Sequence, residues 1–275
     1  MERRGFLGLL ASSTAAGALA RRLAACGRIQ PLGVQLYTVR AAMRESMERT
    51  LERVAAIGFR EVEFAGYFAR TPRQVADALR AAGLAAPSAH YALEELEGDA
   101  GARTLEAAAA IGHRYVVVPW IAPRDRETLD GWGRIAERLN RVGAAARAVG
   151  LRFAYHNHDF EFRRTDGRVP FDVLCESTDP DLVLIELDLF WITNGGADPL
   201  AFFQRWPGRT HLVHVKDRTA EGRMVDVGSG AIDWRAIFAR RAQAGIRHFF
   251  VEHDSPADPF ASISASYRYL SRLDV

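Results

Sequence analysis

The sequence predicts an α/β protein built as a closed (β/α)8 barrel, and three observations carry that expectation. Short apolar, β-branched runs alternate with longer Ala-, Arg-, Leu- and Glu-rich segments of helical spacing, the βα pattern of a parallel sheet. Eight such units fill residues 30–275, and right-handed crossovers close eight units into a barrel of roughly 250 residues. Five helical segments end at a glycine just before the next strand, at Gly58, Gly83, Gly112, Gly150 and Gly245. A glycine there adopts the left-handed cap that turns the chain back into the sheet.

Taken in order, the apolar runs place strands at Gly33–Tyr37, Glu61–Phe64, Ala85–Tyr91, Tyr115–Pro119, Arg152–His156, Leu182–Asp188, Thr210–Val215 and His248–Glu252. Helical spacing places helices at about Met43–Ile57, Pro72–Ala82, Gly101–Ile111, Glu127–Val149, Phe171–Cys175, Pro199–Arg205, Trp234–Ala244 and Pro259–Leu270. No linker or second domain is expected within 30–275. With 275 residues, 48% hydrophobic and 25% charged, the chain is long enough to bury one large core. Its 36 basic and 34 acidic residues are spread along the chain, so no basic block marks nucleic acid as a partner. Cys26 and Cys175 lie far apart and imply no disulfide framework.

Residues 1–27 follow a different pattern. Met1-Glu-Arg-Arg-Gly-Phe-Leu7 opens with paired arginines, and a small-residue, apolar stretch runs on to Ala20, too short and too rich in Ala, Ser and Gly to span a bilayer. This resembles a twin-arginine export signal. Leu23-Ala-Ala-Cys26 then resembles a lipobox, with Cys26 as the lipidated mature N-terminus. The expectation is an exported, periplasmic protein that touches the membrane only through that lipid. Export of already folded protein suits an enzyme that loads its metal in the cytoplasm.

Four consecutive strands end in metal-type ligands: Phe153-Ala-Tyr-His-Asn-His158, Leu184-Ile-Glu-Leu-Asp188, His211-Leu-Val-His-Val-Lys216 and Val251-Glu-His-Asp254. Residues two apart on a strand share a face. The pairs His156 with His158, Glu186 with Asp188, His214 with Lys216, and Glu252 with Asp254 therefore line the end of the barrel where barrel enzymes do their chemistry. Singly, each has a plain structural use: His158 as a hydrogen-bonded loop residue, Glu186 as a core ion pair, Asp254 as a helix cap. Four strands ending alike favour a divalent metal held by imidazole and carboxylate groups.

At these residues the chain resembles the sugar phosphate isomerase/epimerase superfamily, the xylose isomerase-like TIM barrels that include inosose dehydratases, ketose 3-epimerases and endonuclease IV. The resemblance rests on Leu32-Gly-Val-Gln-Leu-Tyr-Thr-Val-Arg40, Gly58-Phe-Arg-Glu-Val-Glu-Phe64, Tyr155-His-Asn-His-Asp-Phe-Glu-Phe162, Leu187-Asp-Leu-Phe-Trp191, His214-Val-Lys-Asp217, Val227-Gly-Ser-Gly230 and Val251-Glu-His-Asp254. It implies a divalent metal, manganese first, with zinc, cobalt or iron as the others. Asp188, His214 and Glu252 stand at the family's ligand positions. The fourth family ligand, a glutamate, is replaced in the stretch His156-Asn157-His158. Aligning His156 with it gives a His156, Asp188, His214, Glu252 site, with His158 and Glu161 as the other candidates from that strand.

That departure changes the expected chemistry. Ketose epimerases of the family use two metal-bound glutamates as an acid/base pair, and only Glu252 is kept here. The ligand set drops from a formal charge of −3 to −2, which balances a divalent ion and leaves it more Lewis acidic. A histidine with pKa near 6.5 serves as a base at neutral pH. The expected reaction is proton abstraction by His158 next to a metal-bound carbonyl, with Glu252 as the second catalytic group. Lys216 either stabilises the enolate or forms a salt bridge to a barrel carboxylate such as Glu186. Gln35, Tyr37, Glu63, His90, Trp120, Glu161 and Trp191 are the candidate substrate contacts, the aromatics stacking on a sugar face and the polar groups binding hydroxyls.

The expected enzyme is thus an isomerase, epimerase, dehydratase or lyase for an unphosphorylated keto-sugar or 3-keto-glycoside, with oligomerisation left open. Two rivals are weighed. A non-catalytic periplasmic sugar-binding barrel predicts no tightly held metal, and endonuclease IV-like phosphodiester hydrolysis needs about three metals and a basic groove.

Overall fold

The computed structural model describes residues 27–275. The expected export signal, with Cys26, falls on residues 1–26 and lies outside the described residues. Eight parallel strands close into a barrel in chain order: β1 (Leu32–Gln35), β2 (Glu61–Phe64), β3 (Ala85–His90), β4 (Tyr115–Val118), β5 (Arg152–His156), β6 (Val183–Asp188), β7 (Thr210–Val215) and β8 (His248–Val251), with β8 pairing back onto β1. The expected (β/α)8 barrel is the observed one, with strand ends within one or two residues.

The helical layer is more broken than the spacing predicts. The segment expected as one helix from Met43 is two, α1 (Arg40–Glu45) and α2 (Met47–Ile57), because extended Ser46 interrupts it and its hydroxyl caps α2 at Arg49 N–H. Then come α3 (Pro72–Ala82), α4 (Gly98–Ile111), α5 (Leu129–Ala148), α6 (Pro170–Ser177), α7 (Leu189–Asn194) and α8 (Pro199–Arg205). The expected Trp234–Ala244 helix is likewise split at Arg240 into α9 (Trp234–Ala239) and α10 (Arg241–Ala244), and α11 (Pro259–Leu270) ends the fold. None of the described helices is long and apolar enough to cross a membrane.

Each helix buries one stripe against the barrel. In α5 the buried set Trp132, Ile135, Ala136, Leu139, Val142, Gly143 and Ala146 follows helical spacing. Inside the barrel, Tyr115, Val117, Ala154, Leu184, Leu212 and Phe250 form a separate apolar layer. Phe250 fits there because β1 carries Gly33 opposite it: a Cβ at Gly33 would lie 2.5 Å from the Phe250 ring. Above this layer, at the C-terminal ends of the strands, the interior turns polar.

Candidate metal centre and substrate cavity

The polar layer is assembled one or two side chains per strand. Gln35 comes from β1, Glu63 from β2, Ser88 and His90 from β3, His156 from β5, Glu186 and Asp188 from β6, and His214 from β7. Lys216 and Glu252 follow β7 and β8 directly. The backbone of Asp188 is locked to the β5 turn by Asn157, whose Oδ1 accepts from Asp188 N–H at 2.9 Å. That fixes the spacing of His156 and Asp188. Asp188 also caps α7, its Oδ1 accepting from Phe190 and Trp191 N–H at 2.9 Å, which leaves Oδ2 for the interior.

Two overlapping groups converge. Asp188, His214 and Glu252 bring one ligand atom each within 4.8 Å of one another, and so do His90, His156, Glu186 and His214. His214 bridges the two: Nδ1 lies 2.7 Å from Glu252 Oε2 and 3.8 Å from Asp188 Oδ2, while Nε2 lies 2.6 Å from Glu63 and 3.3 Å from Glu186. His156 joins them, with Nε2 3.7 Å from Asp188 Oδ2 and Nδ1 3.3 Å from Glu186 Oε2. Lys216 Nζ lies 3.0 Å from Asp188, 2.8 Å from Glu252 and 2.9 Å from Asp254. The expected salt bridge from Lys216 to a barrel carboxylate is formed, with Asp188 and Glu252 in place of Glu186.

The electrostatics follow from burial and crowding. Burial opposes a charge on His90 and His214, but Glu63 and Glu186 push His90 up to about 9, and Glu186 and Glu252 raise His214 well above the usual imidazole range. Burial and the Glu63 charge lift Glu186 to about 7. Burial also raises Asp188, whereas Lys216 and His214 overcome it at Glu252 and hold that carboxyl low. His156 and His158 go the other way: burial, then neighbouring cations, lowers both, His158 to about 3. In the protein alone, the carboxylates thus draw protons onto His90 and His214.

Two buried atoms here, His156 Nδ1 and Glu186 Oε1, make no hydrogen bond, while Asp188 Oδ2 and His214 Nδ1 have only the ion-pair contacts to Lys216 and Glu252. Buried polar groups are ordinarily satisfied, and mixed imidazole and carboxylate donors suit a divalent transition-metal ion. The donor chemistry therefore fits a cation held by His156, Asp188, His214 and Glu252.

A cavity of about 680 Å³ opens directly over this cluster. Of the sequence-derived candidates, Tyr37, His90, Trp120, His156, His158, Lys216 and Glu252 line it. Tyr37 and Trp120 are 42% and 48% exposed, so they form its rim. Four expected substrate contacts are placed otherwise. Gln35 and Glu63 are fully buried beneath the cavity: Gln35 donates to Glu63 at 2.8 Å, and Glu63 also accepts from Ser88 at 2.5 Å. Glu161 faces away, its two oxygens taking Tyr155 O–H and His158 N–H at 2.8 Å each. Burial lifts it to about 8, and it braces the β5 turn instead of binding metal or sugar. Trp191 stands behind the wall, its ring 5.8 Å from Lys216 Nζ and 5.5 Å from the His158 ring.

Sequence reasoning placed Glu186 at the barrel mouth beside Asp188 but gave it no ligand or catalytic role. It also missed Tyr67, Tyr91 and Glu95, which line the opposite wall. Tyr67 and Glu95 sit in a loop and a short 3₁₀ turn, where no periodicity marks them.

The family model described as xylose isomerase-like TIM barrel matches residues 51–273. Among curated proteins, an inosose dehydratase of Lacticaseibacillus casei is 29% identical over 165 residues, 52% of this chain and 55% of that protein. The chain thus spans about half the length of the curated relatives it matches. A sugar phosphate isomerase/epimerase of Parabacteroides distasonis superposes with a TM-score of 0.79 at 24% identity, covering 87% of this chain and 93% of the other. An L-ribulose 3-epimerase structure gives a TM-score of 0.66 at 18% identity, covering 87% and 92%.

Proposed function

This chain belongs to the xylose isomerase-like TIM barrel family, and on that premise we propose that it is a divalent-metal-dependent enzyme that removes a proton beside the carbonyl of a keto-sugar or 3-keto-glycoside. The observation that carries the reading is the convergence of Asp188, His214 and Glu252, with His156 Nε2 3.7 Å from Asp188 Oδ2, beneath a cavity of about 680 Å³. That volume suits a small polyol. These four residues would hold the ion, manganese first and zinc, cobalt or iron as the others. When bound, such an ion supplies Lewis acidity toward a carbonyl oxygen.

The remaining roles belong to side chains in view. Lys216 lines the cavity with its ammonium beside Asp188 and Glu252, a fixed positive charge where an enolate oxygen develops. His158 lines the same cavity, its ring stacked on Phe160 at 5.5 Å and its Nδ1 without a partner. Held neutral by burial and the Lys216 charge, it is a ready but weak base. A weak base matches a C–H already acidified by a neighbouring carbonyl better than one beside an unactivated alcohol. Loss of that proton is the shared first step of inversion at the carbon and of elimination of a β-leaving group, so epimerase and dehydratase or lyase outcomes are both open to this site. We further propose that the chain is exported by its twin-arginine leader to the periplasm, supported by Arg3-Arg4 and the stretch that follows.

Two measurements test the reading. Elemental analysis of the purified protein is expected to find about one divalent ion per chain. Incubation with 3-keto-glucosides in deuterium oxide is expected to label the carbon beside the carbonyl, with His158→Ala slowing exchange by roughly 10²–10⁴-fold. A protein that holds no metal and labels no 3-keto-sugar would overturn it.

A further inference from the structure

Across the cavity from the metal centre, three residues form a hydrogen-bonded relay whose direction is fixed by the backbone. His113, buried behind the wall, has Nδ1 2.6 Å from the Ala86 carbonyl oxygen. A carbonyl only accepts, so Nδ1 carries the proton. Burial lowers the His113 pKa, so the ring is neutral and Nε2 is an acceptor. Nε2 lies 2.8 Å from the Tyr67 hydroxyl, which must donate to it. With its one proton spent, Tyr67 accepts from the Tyr91 hydroxyl, its other partner. Tyr91 lines the cavity and has given its own proton to the relay. What remains toward the cavity is an oxygen lone pair. Burial raises both phenols, Tyr91 to about 12, so neither proton leaves.

We propose that Tyr91 is a one-way hydrogen-bond acceptor that selects, at the ring position it faces, a substrate hydroxyl over a carbonyl, ether or fluorine. The proposal rests on the keto-sugar reading of the cavity, while the polarity of the relay does not. Two further features support it. Glu95, the neighbouring polar residue of this wall, is also an acceptor, one of its oxygens already taking Ala92 N–H at 2.8 Å. The turn after Tyr67 holds two non-glycine residues in the left-handed region, Phe68 at φ 51° and Ala69 at φ 61°. Such a conformation is unfavourable for residues with a side chain and persists where the surroundings enforce it. The wall thus accepts donors, and a cation held opposite would take an oxygen acceptor; a sugar with one carbonyl and hydroxyls elsewhere meets both.

The relay is read first without any sugar. Nitrogen-15 histidine spectra of the full chain, with His113 assigned by its loss in His113→Gln, are expected to show the neutral Nδ1–H tautomer from pH 6 to 8. The Nε2–H tautomer would overturn the proposal. The selectivity is read by calorimetry with methyl 3-keto-α-glucopyranoside and its 2-, 4- and 6-deoxy and deoxyfluoro analogues. At one position, deoxy and deoxyfluoro sugars are both expected to bind about tenfold more weakly than the parent, the loss of one hydrogen bond. In Tyr67→Phe the freed Tyr91 O–H can donate, so the fluoro sugar at that position is expected to regain several-fold while the deoxy sugar does not. A fluoro sugar that equals the parent at every position in the unmodified protein would overturn the selection. If the parent sugar itself does not bind, the keto-sugar reading fails, and the His113 tautomer still decides the relay.

Discussion

The barrel buries ionisable groups at both ends, and the two sets are built on opposite rules. At the N-terminal end, pairing is one to one: His248 Nδ1 lies 2.8 Å from Glu61, and the Tyr115 hydroxyl lies 3.1 Å from His211 Nδ1. None of these four side chains has a buried unpartnered atom among the described residues. At the C-terminal end, three imidazoles crowd Glu186 and both Asp188 and Glu252 share Lys216 and His214, yet His156 Nδ1 and Glu186 Oε1 find no hydrogen-bond partner. Pairs that close on themselves hold a fold together; a cluster that does not close awaits a third party. The apolar layer around Phe250 separates the two: its ring stacks against His248 at 6.2 Å on one side and meets His214 edge-on at 6.4 Å on the other.

The comparison breaks most sharply if the ends respond alike to loss of a carboxylate. Asp188→Asn or Glu252→Gln is expected to weaken metal retention by on the order of 10³-fold, since outer-shell partners alone contribute roughly 10–100-fold. Glu61→Gln is expected to retain the full metal content in the same elemental analysis. Next in size, Phe250→Ala opens a cavity between the clusters and should cost about 3–5 kcal/mol in urea unfolding. His248→Ala leaves Glu61 buried without its partner and should cost about 1–3 kcal/mol while deuterium exchange into substrate continues. A loss of exchange in that variant would mean that the two ends are coupled.

The smallest effect is a pH slope confined to the mouth. His90 is raised from 6.5 to about 9 on folding, so its stabilisation is complete below the unfolded pKa and is lost as pH climbs toward 9. Metal-free protein should therefore lose stability by roughly 1 kcal/mol per pH unit between about 6.5 and 9. Denaturant titrations at fixed pH would show it, with the slope reduced in His90→Asn.

Legibility in the sequence follows the same division. Strands and the shared faces of their residues follow from a period of two, so His156, Asp188, His214, Lys216 and Glu252 could be placed at one mouth before any coordinates. Helix breaks at Ser46 and Arg240 could not, because the residues on either side keep helical composition. Gln35, Glu63 and Glu161 were expected against substrate because a polar residue near a strand end looks alike whether its oxygens are free or spent. Only the partners, Ser88 and His214 for Glu63 and Tyr155 for Glu161, decide which. The Tyr67–Tyr91–His113 relay joins three separate segments through hydroxyls and one backbone carbonyl, and no spacing rule connects them.

Asp188 has one oxygen in the cluster and the other on the first turn of α7, where it holds the backbone of Trp191. The indole of Trp191 lies beside Lys216 and His158, two of the charged or chargeable groups that line the cavity. Indole emission is sensitive to nearby cations, so the protein carries its own optical indicator. Filling of the site shifts charge within a few ångströms of this one ring, and Trp191→Phe identifies its share of the signal among the five tryptophans. Occupancy of the mouth is thereby readable in a cuvette, with no label and no substrate in hand.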